Sequence, residues 1–348
     1  MAAPPEHDYD DRPYPGFVDA LLDELECLRK ENARLKEEND NISRFWLQRM
    51  AGSDDDIRFY TRFASYDHLL RFWSFIEPSV KYMIRSTRST TGLTSRPKAQ
   101  ALHPVDELFM FLSYLALGEK QKALGKRFNV SQSTVSRVIL TWSNFLLCTL
   151  GSLKLWQSQE QIKEYLPEDF KNYADTTVIL DCTEFRCQTP SSPLVQSEVY
   201  SQYKSHCTVK GMIGIAPHGA VTFISPLFAG SISDKQLFLE SGICRMLTPD
   251  SAVMVDRGFL IDSLVPCKVY RPAFLAGRNQ MPENEVGESQ EIAQLRVHVE
   301  RVIRRLKEHQ FFHYDIPLNM FGNINQLFMV ACLLLNYENQ PLVKAWAK

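Results

Sequence analysis

Three short stretches of this chain each put a carboxylate where divalent-metal phosphoryl-transfer chemistry needs one. Val178-Ile179-Leu180-Asp181-Cys182-Thr183-Glu184 and Ala252-Val253-Met254-Val255-Asp256-Arg257-Gly258-Phe259 each begin with an apolar run that reads as a buried strand ended by an aspartate. Arg296-Val297-His298-Val299-Glu300-Arg301-Val302-Ile303-Arg304-Arg305 reads as an amphipathic, arginine-rich helix with Glu300 inside it. A carboxylate beside a buried strand costs free energy unless something compensates it, and a divalent cation is one compensation. Carboxylate oxygens are hard ligands that suit Mg²⁺ or Mn²⁺ rather than zinc. Two such ions about 4 Å apart can activate a water or a DNA 3′-hydroxyl and stabilise the leaving oxygen, the protein supplying position and charge.

Arg296, Glu300 and Arg304 lie four apart and share one helix face. Taken alone, that spacing better describes a glutamate paired with arginines on a solvated helix; Asp181 and Asp256 reverse that preference. Asp256 alone could be a strand-end cap. His206 and His298 have the composition of hydrogen-bonded structural histidines. Cys182 has no evident base partner and reads as packing.

The elements that must position these residues come from 348 residues with ordinary hydrophobic (45%) and charged (23%) content, which is enough for a sizeable core and more than one domain. The net charge of −2 is uninformative, but basic residues cluster at 120–137 and 296–307, where a polyanion would feel them. The eight cysteines include no CxxC pair, which argues against a zinc finger and a disulfide framework and for reduced thiols. The polar, acidic N-terminus is not a secretory signal, and no apolar run reaches the roughly 18 residues of a membrane span. A soluble intracellular protein is expected.

Residues 1–16, rich in Pro, Asp and Tyr, read as a disordered tail. From 17 to 50 a coiled-coil helix is expected. Leu21, Leu28, Leu35 and Ile42 recur every seven residues, with Leu25, Asn32, Asn39 and Trp46 as the companion series. Leucine on one seam and Asn on the other fit a parallel homodimer through residues 17–47 or a single surface helix. Ser53-Asp54-Asp55-Asp56 reads as a break, and 57–150 as a helical region whose aromatics (Phe59, Tyr60, Phe63, Phe72, Trp73, Phe75) supply core. Residues 85–103 read as a polar loop.

Helices at 105–117, 121–128 and from a Ser131 cap onward give a helix-turn-helix over about 104–150. The second helix of that motif would present Gln132, Ser133, Ser136 and Arg137 to a major groove, with Lys122, Lys126 and Arg127 on phosphates. The same three helices could instead only pack on the next domain. Residues 151–175 read as a helical connector. From Thr177 on, strands at 178–185, 208–216 and 220–226, a helix at 235–247, a strand at 252–255 and helices at 288–307 and 323–339 predict an α/β arrangement around one mixed sheet. Residues 268–271 are assigned to a loop.

From about Thr177 to Tyr337 the chain resembles the DDE-type domain of Harbinger-like transposases, an animal branch of which carries THAP zinc fingers. The resemblance rests on Asp181-Cys182-Thr183-Glu184, Tyr203-Lys204-Ser205-His206, Gly230-Ser231-Ile232-Ser233-Asp234-Lys235, Asp256-Arg257-Gly258-Phe259 and Arg296 to Ile303. Residues 124–142 are similar to the family's helix-turn-helix. Each motif is weak alone; five in order are specific.

The resemblance implies an RNase H-like DDE endonuclease domain over 176–340, preceded by the helix-turn-helix region and the coiled-coil helix. Asp181, Asp256 and Glu300 match the family's catalytic, metal-holding acids, and Asp234 matches an auxiliary one. Glu184 and Asp262 are further acids given no role. Lys204, His206, Arg257, Arg296, Arg301 and Arg304 are candidates for holding phosphates, and the implied cofactor is Mg²⁺ or Mn²⁺.

The chain departs from the THAP-bearing branch, because Cys27 is the only cysteine before Cys148 and a THAP finger cannot be built. Target recognition then rests on the helix-turn-helix, on a separate DNA-recognition protein, or on neither. Three readings follow. The first is a metal-dependent endonuclease acting on DNA in the nucleus or cytoplasm. The second is a non-catalytic DNA-binding or scaffold protein keeping the transposase fold. The third, an unrelated metallohydrolase, is disfavoured by the helix-turn-helix.

Overall fold

The computed structural model describes residues 22–35, 45–86, 102–274, 280 and 282–338. The chain divides into two units, Met1–Phe45 and Trp46–Lys348. In the first, residues 22–35 are helical (α1), and Leu22, Leu25, Leu28 and Leu35 are all exposed. The expected tail (1–16) and the heptad positions Leu21, Asn39 and Ile42 lie outside the described residues, as does most of the expected 85–103 loop. The helix does not extend to residue 50 as the spacing predicted. Phe45 and Trp46 are not helical, and Leu47–Met50 form a 3₁₀ turn belonging to the second unit. Leu47 and Met50 bury their side chains there, and the Leu47 N–H donates to the buried Asp106 carboxylate at 3.0 Å, so burial in the next unit overrides the heptad.

In the second unit, the expected break at 53–56 is a helix start. The Ser53 hydroxyl accepts the Asp56 N–H, and three aspartates fill the first turn of α2 (Asp54–Thr61), where the helix dipole favours anions. Helix α3 spans Tyr66–Val80. Phe63, Phe72 and Trp73 are core, but Phe59 and Phe75 are half exposed. The helix-turn-helix layout is as expected: α4 (Pro104–Leu117), α5 (Gln121–Arg127) and α6 (Gln132–Gly151), with Ser131 capping α6 through the Thr134 N–H. Asn129 takes the left-handed conformation (φ 52°) that lets the α5–α6 turn close. A Cβ on Gly125 would meet the Val130 carbonyl oxygen at 2.8 Å, so the turn also requires glycine beside it.

These helices are not a free-standing module. α4 is buried almost throughout, from Asp106 to Ala116. Its Glu107 accepts from Arg85 at 2.7 Å and from the Trp142 indole at 3.2 Å. The expected connector holds α7 (Gln159–Glu164) and a 3₁₀ turn, Glu168–Tyr173. The sheet follows. Strand β1 (Thr176–Arg186) is central, and α8 (Pro193–Val199) and β2 (Tyr200–Ser201) lead into β3 (His206–Ile215). β3 turns at Gly219 into β4 (Val221–Ile224), and β5 (Phe228–Ala229) precedes α9 (Asp234–Glu240). The helix expected through 247 stops early because Gly242 turns left-handed (φ 79°). β6 (Ala252–Met254) is followed by β7 (Lys268–Tyr270), a strand where a loop was expected. Only three residues long, β7 shows no alternation of its own and is specified by its parallel pairing with β6.

The main path runs β2-β3-β1-β6-β7, with β4 and β5 also paired to β3, antiparallel on the β3 side and parallel on the β6 side. Val178, Leu180, Met212 and Val253 pack against Leu237 and Phe238 of α9. On the other face lie α10 (Glu283–Glu308) and α11 (Ile324–Glu338), where Phe185 meets Phe312 and Phe328. α11 also joins the helical region to the sheet. Tyr337 lies against Phe72, the Ser143 hydroxyl donates to Asn323, and the Ala64 N–H donates to the Glu338 carbonyl oxygen. No helix among the described residues is long and apolar enough to cross a membrane.

Candidate active site

Asp181 is not at a strand end, as the apolar run suggested, but midway along the 11-residue β1. What ends near it is the pairing with β6, whose last registered pair is Ile179 with Met254. Asp181 and Asp256 each lie two residues beyond that pair. Because side chains alternate with period two and neighbouring strands lie about 4.8 Å apart, this register sets the two carboxylates side by side on one face. β6 then leaves the sheet, opening that edge of β1. Past this edge lies a cavity of about 830 Å³ lined by Asp181, Glu184, Asp234, Asp256 and Glu300 together.

The third acid reaches the cavity along α10. Ile292, Leu295, Val299, Val302 and Leu306 form its buried stripe, leaving Glu300 exposed at the margin. One turn earlier, Arg296 is buried and its guanidinium spans the two aspartates, 2.8 Å from Asp256 and 3.8 Å from Asp181. Arg296 was expected on phosphate; its cation already faces carboxylates. Burial pushes the Asp181 carboxyl up to about 6, Arg296 and the Cys182 N–H pull it down, and the charges of Asp256 and Glu300 raise it. Asp181 thus feels both other acids.

A second constellation occupies the α9 side. In β3, Lys210 is registered opposite Glu184, and its ammonium lies 2.7 Å from Asp234 and 3.7 Å from Glu184. Glu184 also accepts from the Thr208 hydroxyl. Burial disfavours the Lys210 charge, but the hydrogen bond and ion pair with Asp234 outweigh it and hold the ammonium above its usual range. Asp234, expected as a fourth metal ligand, is therefore bound by an internal cation. Sequence reasoning missed Lys210 because it lies in the middle of a strand. The usable signal was one charged residue in the otherwise uncharged Thr208-Val209-Lys210-Gly211-Met212-Ile213 run. Lys307, two helical turns after Glu300, also lines the cavity and was missed; burial lowers its pKa, with Lys204 acting in the same direction.

The remaining candidates divide. Lys204 lines the cavity, with its ammonium 4.4 Å from the Tyr203 ring. Arg257, Arg301 and Arg304 are exposed, and Arg304 lies near Glu308. Asp262 pairs with Arg271, outside the cavity lining. His298 is buried against Phe170, and burial lowers its pKa; His206 is exposed. Burial pushes the Cys182 thiol far up, as a packing role requires. In the helix-turn-helix, Lys122, Lys126, Gln132, Ser133, Ser136 and Arg137 are all exposed. Arg127 is half-buried, pairing with Glu119 at 2.5 Å and lying 5.5 Å from the Tyr60 ring.

The donor chemistry of Asp181, Asp256 and Glu300 suits a hard divalent cation. Their side chains do not form a closed cage, however. Among the described residues no three His, Cys, Asp or Glu groups converge closely enough to hold a metal, and Arg296 lies between the two aspartates.

Comparisons with known proteins fall on the same regions. A family model described as "DDE superfamily endonuclease" matches residues 180–336, and one described as "Helix-turn-helix of DDE superfamily endonuclease" matches residues 100–152. A curated relative, "Putative nuclease HARBI1" of Xenopus laevis, is 23% identical over 131 residues, which is 36% of this chain and 37% of that protein. No solved structure matches. With both family segments present in order and the strand register bringing the acids of the first to one cavity, the chain belongs to the DDE superfamily endonucleases.

Proposed function

We propose that this protein is a transposase-derived, divalent-metal-dependent DNA endonuclease that hydrolyses or transfers phosphodiester bonds at the Asp181–Asp256–Glu300 cavity. The observation that carries the proposal is the β1–β6 register, which sets Asp181 beside Asp256 over the cavity that Glu300 also lines. The strand order β2-β3-β1-β6-β7, with β4 and β5 also paired to β3, supports reading residues 176–340 as an RNase H-like domain. Asp181, Asp256 and Glu300 would hold Mg²⁺ or Mn²⁺. When bound, that ion supplies the charge that activates a water or 3′-hydroxyl and stabilises the leaving oxygen.

The chain's own residues do the rest. Arg296 neutralises the two aspartates and fixes their carboxylates before any ion arrives. Lys210 compensates Asp234 and Glu184 on the α9 side of the same cavity. Lys204 and Lys307 meet DNA phosphates. The exposed Gln132, Ser133, Ser136 and Arg137 face a groove, and Lys122 and Lys126 lie against the backbone. The nucleus is the compartment this substrate assigns. Exposure of Leu25, Leu28 and Leu35 on α1 supports a homodimer through residues 17–47, which sedimentation of the full chain against a Leu28→Glu variant would test. A separate DNA-recognition protein completes the partners where the helix-turn-helix alone does not select the site.

One observation favours a second reading, a non-catalytic DNA-binding or scaffold protein. The Arg296 guanidinium already compensates the aspartates, so the fold persists without metal. Supercoiled and terminal-repeat DNA incubated with Mg²⁺ or Mn²⁺ separates the two. Nicking by wild type and not by Asp256→Asn is expected. DNA binding without metal-dependent cutting by either form would leave the scaffold reading.

A further inference from the structure

Beside the catalytic cavity lies a second cleft, of about 540 Å³, which shares Glu184, Tyr203 and Lys210 with it. Its size falls within the roughly 300–1,000 Å³ of small-ligand sites. Its lining is neutral and polar. Gln196 and Ser197 come from α8, Ser201 from β2, and Gln202 and Ser231 from the loops around it. The two ionic groups that reach it, Glu184 and Lys210, belong to one ion-paired constellation and leave no excess charge for a phosphate.

Between cleft and cavity, lining both, stands Tyr203, a residue 85% exposed. The turn carrying it is held by a left-handed Ser205 (φ 56°) and by the Lys204 N–H donating to the Ser201 hydroxyl. That backbone conformation costs a non-glycine residue free energy, so the exposed ring is presented by a specified turn. Lys204 follows it into the catalytic cavity.

Resting on the endonuclease reading, we propose that this cleft receives an unpaired nucleobase next to the scissile phosphate. The base stacks on Tyr203, and its hydrogen-bonding edge meets the amide and hydroxyl groups of Gln196, Ser197 and Gln202. The adjoining phosphate lies with Lys204. A π-face is shared by all four bases, so the ring gives affinity and the polar edge gives preference. The cleft thereby assigns the substrate class: DNA that is locally unpaired at the cut, as at a tail or a flipped base, over fully paired duplex.

Fluorescence anisotropy in EDTA, with the full chain and two probes, tests this. One probe is a blunt duplex; the other is the same duplex with a three-nucleotide single-stranded tail. Wild type is expected to favour the tailed probe by on the order of 5- to 100-fold, the range that one base–aromatic stack supplies. Tyr203→Ala and the cleft-filling Ser197→Trp erase that ratio, and Tyr203→Phe keeps it. Equal affinity of wild type for both probes overturns the proposal, as does a preference that survives Tyr203→Ala. Failure of wild type to bind either probe refutes the DNA reading beneath it, so the two failures are distinguishable.

Discussion

Replacing Arg296 with Gln removes the cation that contacts both Asp181 and Asp256 while keeping much of the side-chain volume. Breaking a fully buried ion pair by deleting one partner costs about 3–5 kcal/mol, because a charge is left uncompensated. Here the arginine side chain is 7% exposed, but Asp181 is 24% and Asp256 54% exposed, and the Asp181 contact at 3.8 Å is not a hydrogen bond. Solvent screening on the Asp256 side brings the expectation down to about 2–3 kcal/mol. At roughly 2–3 °C per kcal/mol for a body of this size, the metal-free midpoint should fall by about 4–9 °C. A divalent cation would then compensate the same carboxylates. Mn²⁺ should raise the Arg296→Gln midpoint well beyond its effect on wild type, by linkage to a site present only in the folded state. Thermal unfolding followed by tryptophan fluorescence, with EDTA and with Mn²⁺, measures both. A variant that melts within 1 °C of wild type and ignores Mn²⁺ would refute the claim that arginine and metal act on one pair of acids.

Other substitutions address single contacts. Lys210→Met leaves Asp234 and Glu184 facing each other without a cation. It should destabilise by about 2 kcal/mol, of which Lys210→Met/Asp234→Asn recovers about half in a double-mutant cycle measured in urea. Additive losses would argue that the 2.7 Å pair contributes nothing. Gly118→Ala places a Cβ 2.9 Å from the Gln310 backbone at a φ of 62°, where the left-handed conformation alone costs about 1–2 kcal/mol. Its urea midpoint should drop accordingly, and an unchanged midpoint would contradict the close approach of α4 to the turn after α10. Arg137→Ala should weaken DNA binding and reduce the slope of log affinity against log salt by about one if this exposed side chain meets a phosphate. An unchanged slope would move Arg137 to base contact or off the DNA.

The helix-turn-helix was legible because its signals are local. They are the Ser131 cap, apolar spacing along α4 and α6, and a short turn at Asn129-Val130. β7 and the C-terminal end of α9 were not. A three-residue strand has no period to read, and the left-handed Gly242 ended a helix whose apolar pattern ran on. At the site, the acids Asp181, Asp256 and Glu300 could be singled out from residue type and order. The cations beside them could not be assigned. Arg296 and Arg304 share a helix face by spacing, yet one is buried against two aspartates and the other lies in solvent near Glu308.

The amino-acid sequence by itself determined which groups were available. It set the three acids in order, the polar start of α6 and a leucine repeat on α1. It also determined the local elements carrying them, since capping and periodicity act within a few residues. Only the tertiary structure decided their neighbours. The parallel register of β1 on β6 sets Asp181 level with Asp256, and a one-residue slip would turn one of them to the opposite face. The packing of α10 brings Arg296 between them, and the antiparallel register of β3 on β1 puts Lys210 opposite Glu184. Such pairings join residues tens of positions apart. They are specified by which apolar faces bury together, and no short window of sequence contains that information.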